Sequence, residues 1–183
     1  LATERLVLNC MQRMSGIATQ TKKMIDLMGE TNTKILDTRK TIPGLRQAQK
    51  YAVTVGGGKN QRLALWHGIL IKENHIAAAG GISAAMKAAQ ALNSGVDIQV
   101  EVENMAELQE ALSAGAKSIL IDNFSLDQMR EAVAFTKGAA LLEASGGVSL
   151  DQLKAIAATG VDRISIGKLT KDVIAVDFSL RVQ

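Results

Sequence analysis

Four basic side chains stand at or near the points where the first two predicted strands end, and they could bind a substrate with several negative charges. They are Arg39, Lys40, Arg62 and Lys72. A guanidinium fork matches the two oxygens of a carboxylate, and a lysine ammonium acts as a point charge. Each residue taken alone is more simply an ordinary surface charge, but together they favour a site for a multiply anionic molecule.

Two carboxylates come with the next two strands, in the middle of the chain. Glu101 lies near the end of a predicted strand at 98–102, and Asp122 follows one at 118–121. Magnesium takes oxygen ligands and is usually held by one or two carboxylates together with substrate phosphates. The pair therefore predicts a Mg²⁺ site, and the alternative is that each carboxylate pairs with a nearby lysine.

Small residues follow the later strands and could hold a phosphate. Ser145, Gly146 and Gly147 come after a predicted strand at 140–142, and Ser149 begins the helix behind them. Exposed main-chain amides in such a turn attract anions. A glycine pair is weak evidence alone, although the late loops of β/α barrels are common phosphate sites.

Other glycines and histidines predict no further site. Residues 56–58 are glycines without the Gly-Lys-Ser/Thr of a P-loop, so we expect them to allow close backbone approach near Arg62. His67 and His75 lack companions for metal binding and are interpreted as structural. Lys72 could also form a Schiff base, which makes a barrel aldolase or lyase the main alternative enzyme class.

The elements that must position these residues alternate regularly in the second half of the chain. Short apolar strands are predicted at 98–102, 118–121, 140–142 and 163–166. The helices between them should begin with capping boxes at Asn104, Ser125 and Ser149. They should end at Gly115, Gly138 and Gly160. This alternation predicts an α/β fold with a parallel sheet, either a barrel or a doubly wound sheet.

The first half is less regular but compatible with the same architecture. Residues 2–28 form one long predicted helix, whose apolar face includes Leu6 and Cys10 near its start. Pro43 suits the first turn of a later helix. Two strands and a helix are predicted at 33–36, 69–71 and 84–92 respectively. Because no linker interrupts the pattern, 1–183 is expected to be a single domain.

Composition excludes several other classes of protein. The 183 residues are 47% hydrophobic and 21% charged, as in a folded domain and unlike a disordered segment. No apolar run approaches the roughly 20 residues of a membrane span, and we expect no signal peptide. A net charge of +3 with 3% aromatic residues gives no support to nucleic-acid binding. Cys10 is the only cysteine, which excludes an internal disulfide and favours a cytoplasmic location.

Seven short strings become specific when they are taken together and in order. They are LDTRKT at 36–41, PGLR at 43–46, KYAV at 50–53, LIKENHI at 70–76, EVEN at 101–104, IDNF at 121–124 and EASGG at 143–147. This series resembles the quinolinate phosphoribosyltransferase (decarboxylating) family, whose members are also called nicotinate-nucleotide pyrophosphorylases. The resemblance extends over essentially the whole chain.

The resemblance implies an open, incomplete TIM-like β/α barrel that carries the catalytic site. The family's separate N-terminal domain is expected to be absent from 1–183, with the helix at 2–28 leading into the barrel. The implied reaction joins quinolinate to phosphoribosyl pyrophosphate, giving nicotinate mononucleotide, pyrophosphate and CO₂ for NAD biosynthesis. A homodimer or higher homo-oligomer is implied, in which Arg5 reaches the pocket of a neighbouring subunit. Neither a nucleic acid nor a membrane is an expected partner.

The resemblance also assigns roles to individual residues. Substrate binding would involve Arg5, Thr38, Arg39, Lys40, Gln61, Arg62, Lys72, Glu101, Asp122, Ser145, Gly146, Gly147 and Gly167. The basic residues at 39, 40, 62 and 72 would bind the quinolinate carboxylates, and the serine and glycines would bind the 5-phosphate. Glu101 and Asp122 would hold Mg²⁺ and the ribose hydroxyls. The catalytic residues would be Lys40, Lys72, Glu101 and Asp122.

Three residues depart from the family pattern. Gln61 stands where His is usual, His67 where Asp is common, and Lys168 where Ala is common. An amide at position 61 can still donate a hydrogen bond to a carboxylate, but it carries no charge.

A non-catalytic phosphate-binding barrel is the remaining alternative, and it would need neither the acid pair nor the basic cluster.

Overall fold

The computed structural model describes residues 3–181, and a six-stranded parallel sheet forms its centre. The strands are β1 (Lys34–Leu36), β2 (Ile69–Ile71), β3 (Ile98–Val102), β4 (Ser118–Asp122), β5 (Leu141–Ser145) and β6 (Arg163–Ser165). They lie in the order β1-β6-β5-β4-β3-β2, and every neighbouring pair is parallel. The predicted strands are confirmed, and β5 differs most because it continues three residues beyond its predicted end.

The sheet does not close into a ring, because β1 and β2 are not paired with each other. The segment 59–62 runs beside β1: the Lys59 N–H donates to the Ile35 carbonyl (2.8 Å), and the Asp37 N–H donates to the Lys59 carbonyl (3.2 Å). Between this segment and β2, the described part of the chain forms no main-chain hydrogen bond. The architecture is therefore the open, incomplete barrel that the resemblance implied.

Helices connect the strands and cover the outside of the sheet. They are α1 (Glu4–Met28), α2 (Arg46–Val55), α3 (Glu73–Ala79), α4 (Ile82–Ala91), α5 (Met105–Ser113), α6 (Leu126–Thr136), α7 (Leu153–Ala157) and α8 (Lys168–Lys171). The caps at Asn104 and Ser125 are confirmed, because each side chain accepts a hydrogen bond from the main-chain amide three residues later. Ser149 also forms its predicted capping box, with Gln152, but the element that it begins is a single 3₁₀ turn, Leu150–Gln152, that leads into α7. Positive φ angles follow the helix ends at Gly115, Gly138 and Gly160.

Two predictions for the first half were wrong in detail. Pro43 lies in a tight turn before α2 and not in a helix, since the Leu45 N–H donates to the Ile42 carbonyl (3.0 Å) and Gly44 has a φ of 78°. Proline followed by glycine is the pair that a type II turn favours. The helix predicted at 84–92 begins two residues earlier and spans Ile82–Ala91.

The glycines at 56–58 allow close approach, but to α1 and not to Arg62. A Cβ atom on Gly56 would lie 2.7 Å from the Thr21 Cβ, and one on Gly58 would lie 2.9 Å from the Thr21 Cγ2. Any side chain at either position would therefore separate the chain after α2 from α1. These glycines set the distance at which α1 packs on the barrel.

Helix α1 runs antiparallel to the strands and projects beyond the carboxyl edge of the sheet. Its last residue leads to the amino end of β1, and its 25 residues span about 37 Å, against about 17 Å for a strand of five. Positions from Gly16 to Met28 are buried on one face, whereas Leu6 is 65% exposed and Cys10 is also exposed. The predicted apolar face is therefore buried mainly from Gly16 onward, although Leu8 in the first part of α1 is also buried.

The two faces of each strand have different environments. On β5, Leu142 and Ala144 pack into the apolar layer beneath the helices, while Glu143 points into the barrel. Valines and isoleucines of β3, β4 and β6 complete that layer, whose fully buried members include Val100, Ile121 and Ile164. None of the helices within 3–181 is both long and apolar enough to cross a bilayer.

Candidate active site

Most of the predicted site residues lie along the carboxyl edge of the sheet, in the order in which the strands are arranged. From β1 to β2 they are Thr38, Arg39 and Lys40, then Gly167, then Ser145, Gly146 and Gly147, then Asp122, Glu101 and Lys72. Residues far apart in the sequence become neighbours because the carboxyl ends of parallel strands meet at one edge. Cations therefore lie at both ends of the edge, with glycines and carboxylates between them.

Lys40 lies against the turn that follows β6. Its N–H donates to the Thr38 hydroxyl (3.1 Å), and its carbonyl accepts from the Thr170 hydroxyl (2.8 Å). A Cβ atom on Gly167 would lie 3.0 Å from the Cδ of Lys40. Gly167 therefore leaves the space through which the Lys40 side chain passes over this turn.

Gly146 and Gly147 present main-chain amides that are free to bind an anion. Their φ angles are 97° and 42°, in the region that favours glycine. Within the described residues, neither N–H donates to a protein acceptor. A Cβ atom on Gly146 would overlap the side-chain oxygen of Asn123, so the turn after β5 packs closely on the turn after β4. Successive free amides of this kind form an anion-binding concavity.

The two candidate metal ligands have different environments. Glu101 pairs with Lys72, whose Nζ lies 2.9 Å from Oε2 and 3.2 Å from Oε1. Asp122 accepts a hydrogen bond from the Asn123 amide (2.7 Å). Glu101 lies opposite Leu120 in the sheet. Asp122 is two residues beyond Leu120 on β4, so its side chain lies on the same face of the sheet as that of Glu101. In 3–181 no group of three or more His, Cys, Asp or Glu side chains could hold a metal, so substrate oxygens would have to complete such a site.

Arg39 lies close enough to Arg62 for its positive charge to affect the pKa of Arg62. Burial lowers the pKa of Arg62, and the positive charge of Arg39 lowers it further. The Arg62 Nη1 donates to the Gly68 carbonyl (3.0 Å). In the described part of the chain, neither guanidinium forms an ion pair with a carboxylate. A bound anion would relieve the repulsion between these two cations.

Gln61 is held through its main chain and its side chain. Its N–H donates to Asp37 (2.9 Å), and its carbonyl accepts from the Lys50 ammonium (2.8 Å). Its side-chain amide donates to the Gln99 Oε1 (2.7 Å) and accepts from the Arg62 N–H (2.5 Å). The amide is thus engaged within the protein, and its hydrogen bond to a substrate carboxylate stays a prediction.

Sequence reasoning missed the structural importance of the ion pair between Asp37 and Lys50. The two side chains are 0% and 2% exposed, and the Asp37 carboxylate also accepts from the Asn60 amide (2.6 Å). Burial raises the pKa of Asp37 and lowers that of Lys50, while their contact opposes both shifts. A lysine on the buried face of α2 was the available signal.

Glu143 was also missed, because its strand was predicted to end before it. It is 1% exposed, its Oε2 accepts from the Gln99 amide (2.9 Å), and its Oε1 has no partner among the described residues. Burial raises the pKa of this carboxyl. A glutamate placed inside a strand, where every second residue points into the barrel, was the signal.

The remaining predicted residues lie apart from the edge or support its main chain. Arg5 is on the exposed first turn of α1, and the described structure does not bring it to the other site residues. The His67 Nδ1 accepts from the Leu63 N–H (3.0 Å), and the His75 Nδ1 accepts from the Lys72 N–H (3.0 Å). Both histidines thus have the structural role that was expected.

A wide cleft opens at the other end of the barrel, at the amino ends of the strands. It measures about 700 Å³ and reaches inward to Gln61, Arg62 and Gln99. At the carboxyl edge, a cavity of about 190 Å³ lies beside Glu101 and one of about 500 Å³ lies between Ser149 and Lys168. The wide cleft follows from the missing closure between β1 and β2 and is open to the amino side.

The chain is similar in sequence to a family of known enzymes. The family profile described as the C-terminal domain of quinolinate phosphoribosyl transferase matches residues 17–181. A probable nicotinate-nucleotide pyrophosphorylase (carboxylating) from Bacillus subtilis is 48% identical over 183 residues, which are 100% of this chain and 63% of the relative. A mitochondrial quinolinate phosphoribosyltransferase (decarboxylating) 2a from Nicotiana tabacum is 42% identical over 198 residues, covering 98% of this chain and 56% of the relative.

Solved structures show the same arrangement of elements. The nicotinate-nucleotide pyrophosphorylase from Francisella tularensis superimposes with a TM-score of 0.96 at 49% identity, covering 98% of this chain and 64% of that one. The enzyme of that name from Pyrococcus furiosus shares the fold, with a TM-score of 0.67 at 18% identity. The chain therefore spans less than two thirds of the length of these relatives.

Proposed function

Because the chain belongs to the quinolinate phosphoribosyltransferase family, in which it matches the C-terminal domain, we propose that it carries the site for phosphoribosyl transfer to quinolinate. The product of the transfer and decarboxylation would be nicotinate mononucleotide, an intermediate of NAD biosynthesis. One observation carries this proposal: cations, carboxylates and free glycine amides follow one another along a single edge of the sheet. The three groups match a dicarboxylate, a metal-bound pyrophosphate and a sugar phosphate.

The basic residues would bind the two carboxylates of quinolinate. Arg39, Lys40 and Arg62 belong to the β1 side of the opening, and Lys72 belongs to the β2 side. Arginine would supply two parallel hydrogen bonds to one carboxylate, and lysine a mobile point charge. The 5-phosphate would lie on the amides of Gly146 and Gly147, near Ser145 and Gly167.

The reaction requires positioning and charge stabilisation more than a protein nucleophile. The pyridine nitrogen of quinolinate forms a bond to C1 of the ribose as the bond from C1 to pyrophosphate breaks. The bond to the carboxylate beside that nitrogen then breaks, CO₂ leaves, and the electron pair on the ring carbon takes up a proton. Lys40 and Lys72 would stabilise negative charge and orient the substrates, while the tight packing of the turns would limit access of water.

Magnesium would be held by Glu101 and Asp122 together with oxygens of phosphoribosyl pyrophosphate. Two carboxylates on one face of adjacent strands suit an ion that normally keeps several water and phosphate ligands. The ion would neutralise negative charge on the pyrophosphate when it is bound. Lys72 would be released from Glu101 when the metal and substrate enter, which frees its ammonium for the second carboxylate.

The substitution Asp122→Asn is expected to raise the Mg²⁺ concentration for half-maximal activity about tenfold, because it removes one charged ligand. The measurement is a Mg²⁺ titration of activity at saturating substrates. Asp127→Asn provides the matched control, since Asp127 is an exposed residue that pairs with Arg130. Equal midpoints for Asp122→Asn and the unaltered protein would contradict a metal role for Asp122.

We also propose that Arg5 acts in the site of a second subunit, in a homodimer or larger homo-oligomer. Support comes from the projection of α1 past the carboxyl edge, which carries Arg5 away from its own barrel. Leu6, Val7 and Met11 are large apolar residues that are at least half exposed on the same part of α1. An apolar contact there would hold an arginine of one subunit against another.

A cytoplasmic location fits the single, exposed cysteine.

The proposed function is tested by assay of the full-length protein with quinolinate, phosphoribosyl pyrophosphate and Mg²⁺. Nicotinate mononucleotide, pyrophosphate and CO₂ are expected in equal amounts, and nicotinate, which lacks the second carboxylate, should be a much poorer substrate. No product from quinolinate would overturn the proposal. A borohydride-stable adduct at Lys72 would instead identify the alternative lyase.

A further inference from the structure

A line of hydrogen-bonded side chains crosses the interior of the barrel from β5 to the segment that bears Arg62. The Gln99 amide donates to Glu143 (2.9 Å), and the Gln61 amide donates to the Gln99 Oε1 (2.7 Å). The Gln61 Oε1 accepts from the main-chain N–H of Arg62 (2.5 Å). Glu143, at one end, is 1% exposed, and Gln99 is 6% exposed. The line therefore connects a fully buried carboxyl to the backbone of a residue at the candidate site.

We infer that Glu143 is a positioning residue, which acts through Gln99 and Gln61 to fix the main chain at Arg62 for binding of the substrate dicarboxylate. The kinetic part of this inference rests on the proposed function. No contact between Glu143 and substrate is involved, since the carboxyl lies below the carboxyl edge with two side chains between it and Arg62.

The direction of each hydrogen bond follows from the chemistry of Glu143. A glutamine side chain can turn its amide over, so Gln99 and Gln61 alone could adopt either orientation. An acceptor at position 143 requires the nitrogen of Gln99 to face it, which leaves the Gln99 oxygen for Gln61. The nitrogen of Gln61 must then face Gln99, and only its oxygen remains for the Arg62 N–H. One buried acceptor thus selects a single orientation for both amides.

Packing alone does not account for a carboxyl at this position. Glu143 has one oxygen without a protein partner, and a buried polar atom of this kind lowers stability. Its neighbour in register on β4 is Leu120, so an apolar side chain is accommodated in the same row. The glutamate is therefore explained by its polar contacts, which are the hydrogen bond from Gln99 and the nearby positive charge of Arg163, in register on β6.

Three variants of the full-length protein separate positioning from general damage to the core. Glu143→Met keeps the length of the side chain and removes the acceptor, while Glu143→Gln keeps an acceptor for the Gln99 amide. Leu120→Met is the matched control, since it alters the neighbouring interior position and replaces none of the hydrogen-bonded side chains. For Glu143→Met we expect the KM for quinolinate to rise on the order of tenfold, with the KM for phosphoribosyl pyrophosphate within about twofold. Leu120→Met should remain close to the unaltered protein. Glu143→Gln keeps an acceptor but can also turn its amide over, so its KM for quinolinate should lie between those of Glu143→Met and the unaltered protein.

Hydrogen exchange at the Arg62 amide tests the same line without substrate. In Glu143→Met this amide should exchange about ten times faster than in the unaltered protein, and Glu143→Gln should give a rate between the two. An unchanged exchange rate in Glu143→Met, or an equal rise in the KM values for both substrates, would overturn the inference. If the proposed function is wrong, the unaltered protein will form no product. The exchange rate of the Arg62 amide would then still test whether Glu143 fixes the main chain at Arg62.

Discussion

Replacing Lys50 by methionine is expected to lower the free energy of unfolding by about 3–5 kcal/mol, which is a large share of the stability of a typical domain. The reason is that Asp37 is fully buried and would be left without its oppositely charged partner. The remaining donors to Asp37, the Asn60 side chain and the Gln61 N–H, stabilise a carboxylate but do not neutralise it. Chemical denaturation at neutral pH measures the loss.

The pH dependence of that loss has a definite sign. Burial already raises the pKa of Asp37 above 3.8, and removal of Lys50 takes away the contact that opposes this shift. A carboxyl with a raised folded-state pKa contributes most to stability below its unfolded-state pKa. The contribution is lost as the pH rises through the folded-state pKa. The deficit of Lys50→Met should therefore be smallest in acid and grow toward neutral pH.

Two further variants make this prediction specific. Lys87→Met changes an exposed lysine of α4 in the same way and should alter the free energy of unfolding by no more than about 0.5 kcal/mol. Adding Asp37→Asn to Lys50→Met should recover part of the loss, because no buried charge then remains. A loss in Lys50→Met as small as that in Lys87→Met would show that the pair is not needed for folding.

Arg62→Ala is expected to lower kcat/KM for quinolinate by about 10²–10³-fold, mainly through KM. Truncation removes a charge-assisted contact to a carboxylate that no other group at that position can replace. Stability should change by less than about 1 kcal/mol, because relief of the repulsion from Arg39 offsets the lost hydrogen bond to Gly68. Steady-state kinetics with quinolinate varied, together with thermal unfolding, give both quantities.

Arg130→Ala is the matched control for this prediction. Arg130 is an exposed arginine of α6 whose partner is Asp127, so its loss should leave both kinetic constants unchanged. Arg62→Lys should recover part of the activity, since it keeps the charge and loses the fork. An Arg62→Ala protein with unaltered KM for quinolinate would remove Arg62 from the carboxylate site.

The repeating elements of the second half were predictable because their signals are local. Strand 98–102 and the caps at Asn104 and Ser125 depend only on residues within a few positions of one another. The family resemblance then supplied the order of the site residues, and the parallel sheet brings them to one edge. Tight turns were harder, as Pro43 shows, because proline suits both a helix start and a turn and the glycine after it decides between them.

The interior hydrogen bonds could not be predicted, because they depend on which strands become neighbours. Glu143 and Gln99 are 44 residues apart in the sequence, and they meet only when β3 and β5 flank β4. A shift of the strand end from 142 to 145 also changes Glu143 from a loop residue into an interior one. The same holds for Asp37 and Lys50, whose contact depends on how α2 packs against the end of β1.

The unclosed side of the barrel would let the proposed substrate change the distance between the two rims when it binds. Across the opening the described structure has side-chain links, Gln61 to Gln99 and Arg62 to the Gly68 carbonyl, in place of a continuous main-chain ladder. Such links can lengthen or break singly, so the two rims can move apart at lower cost than two paired strands. In the proposed function, a dicarboxylate bound by Arg62 on one rim and Lys72 on the other would link the two rims. The bound substrate would then complete the ring of this barrel, and release of the product would open it again.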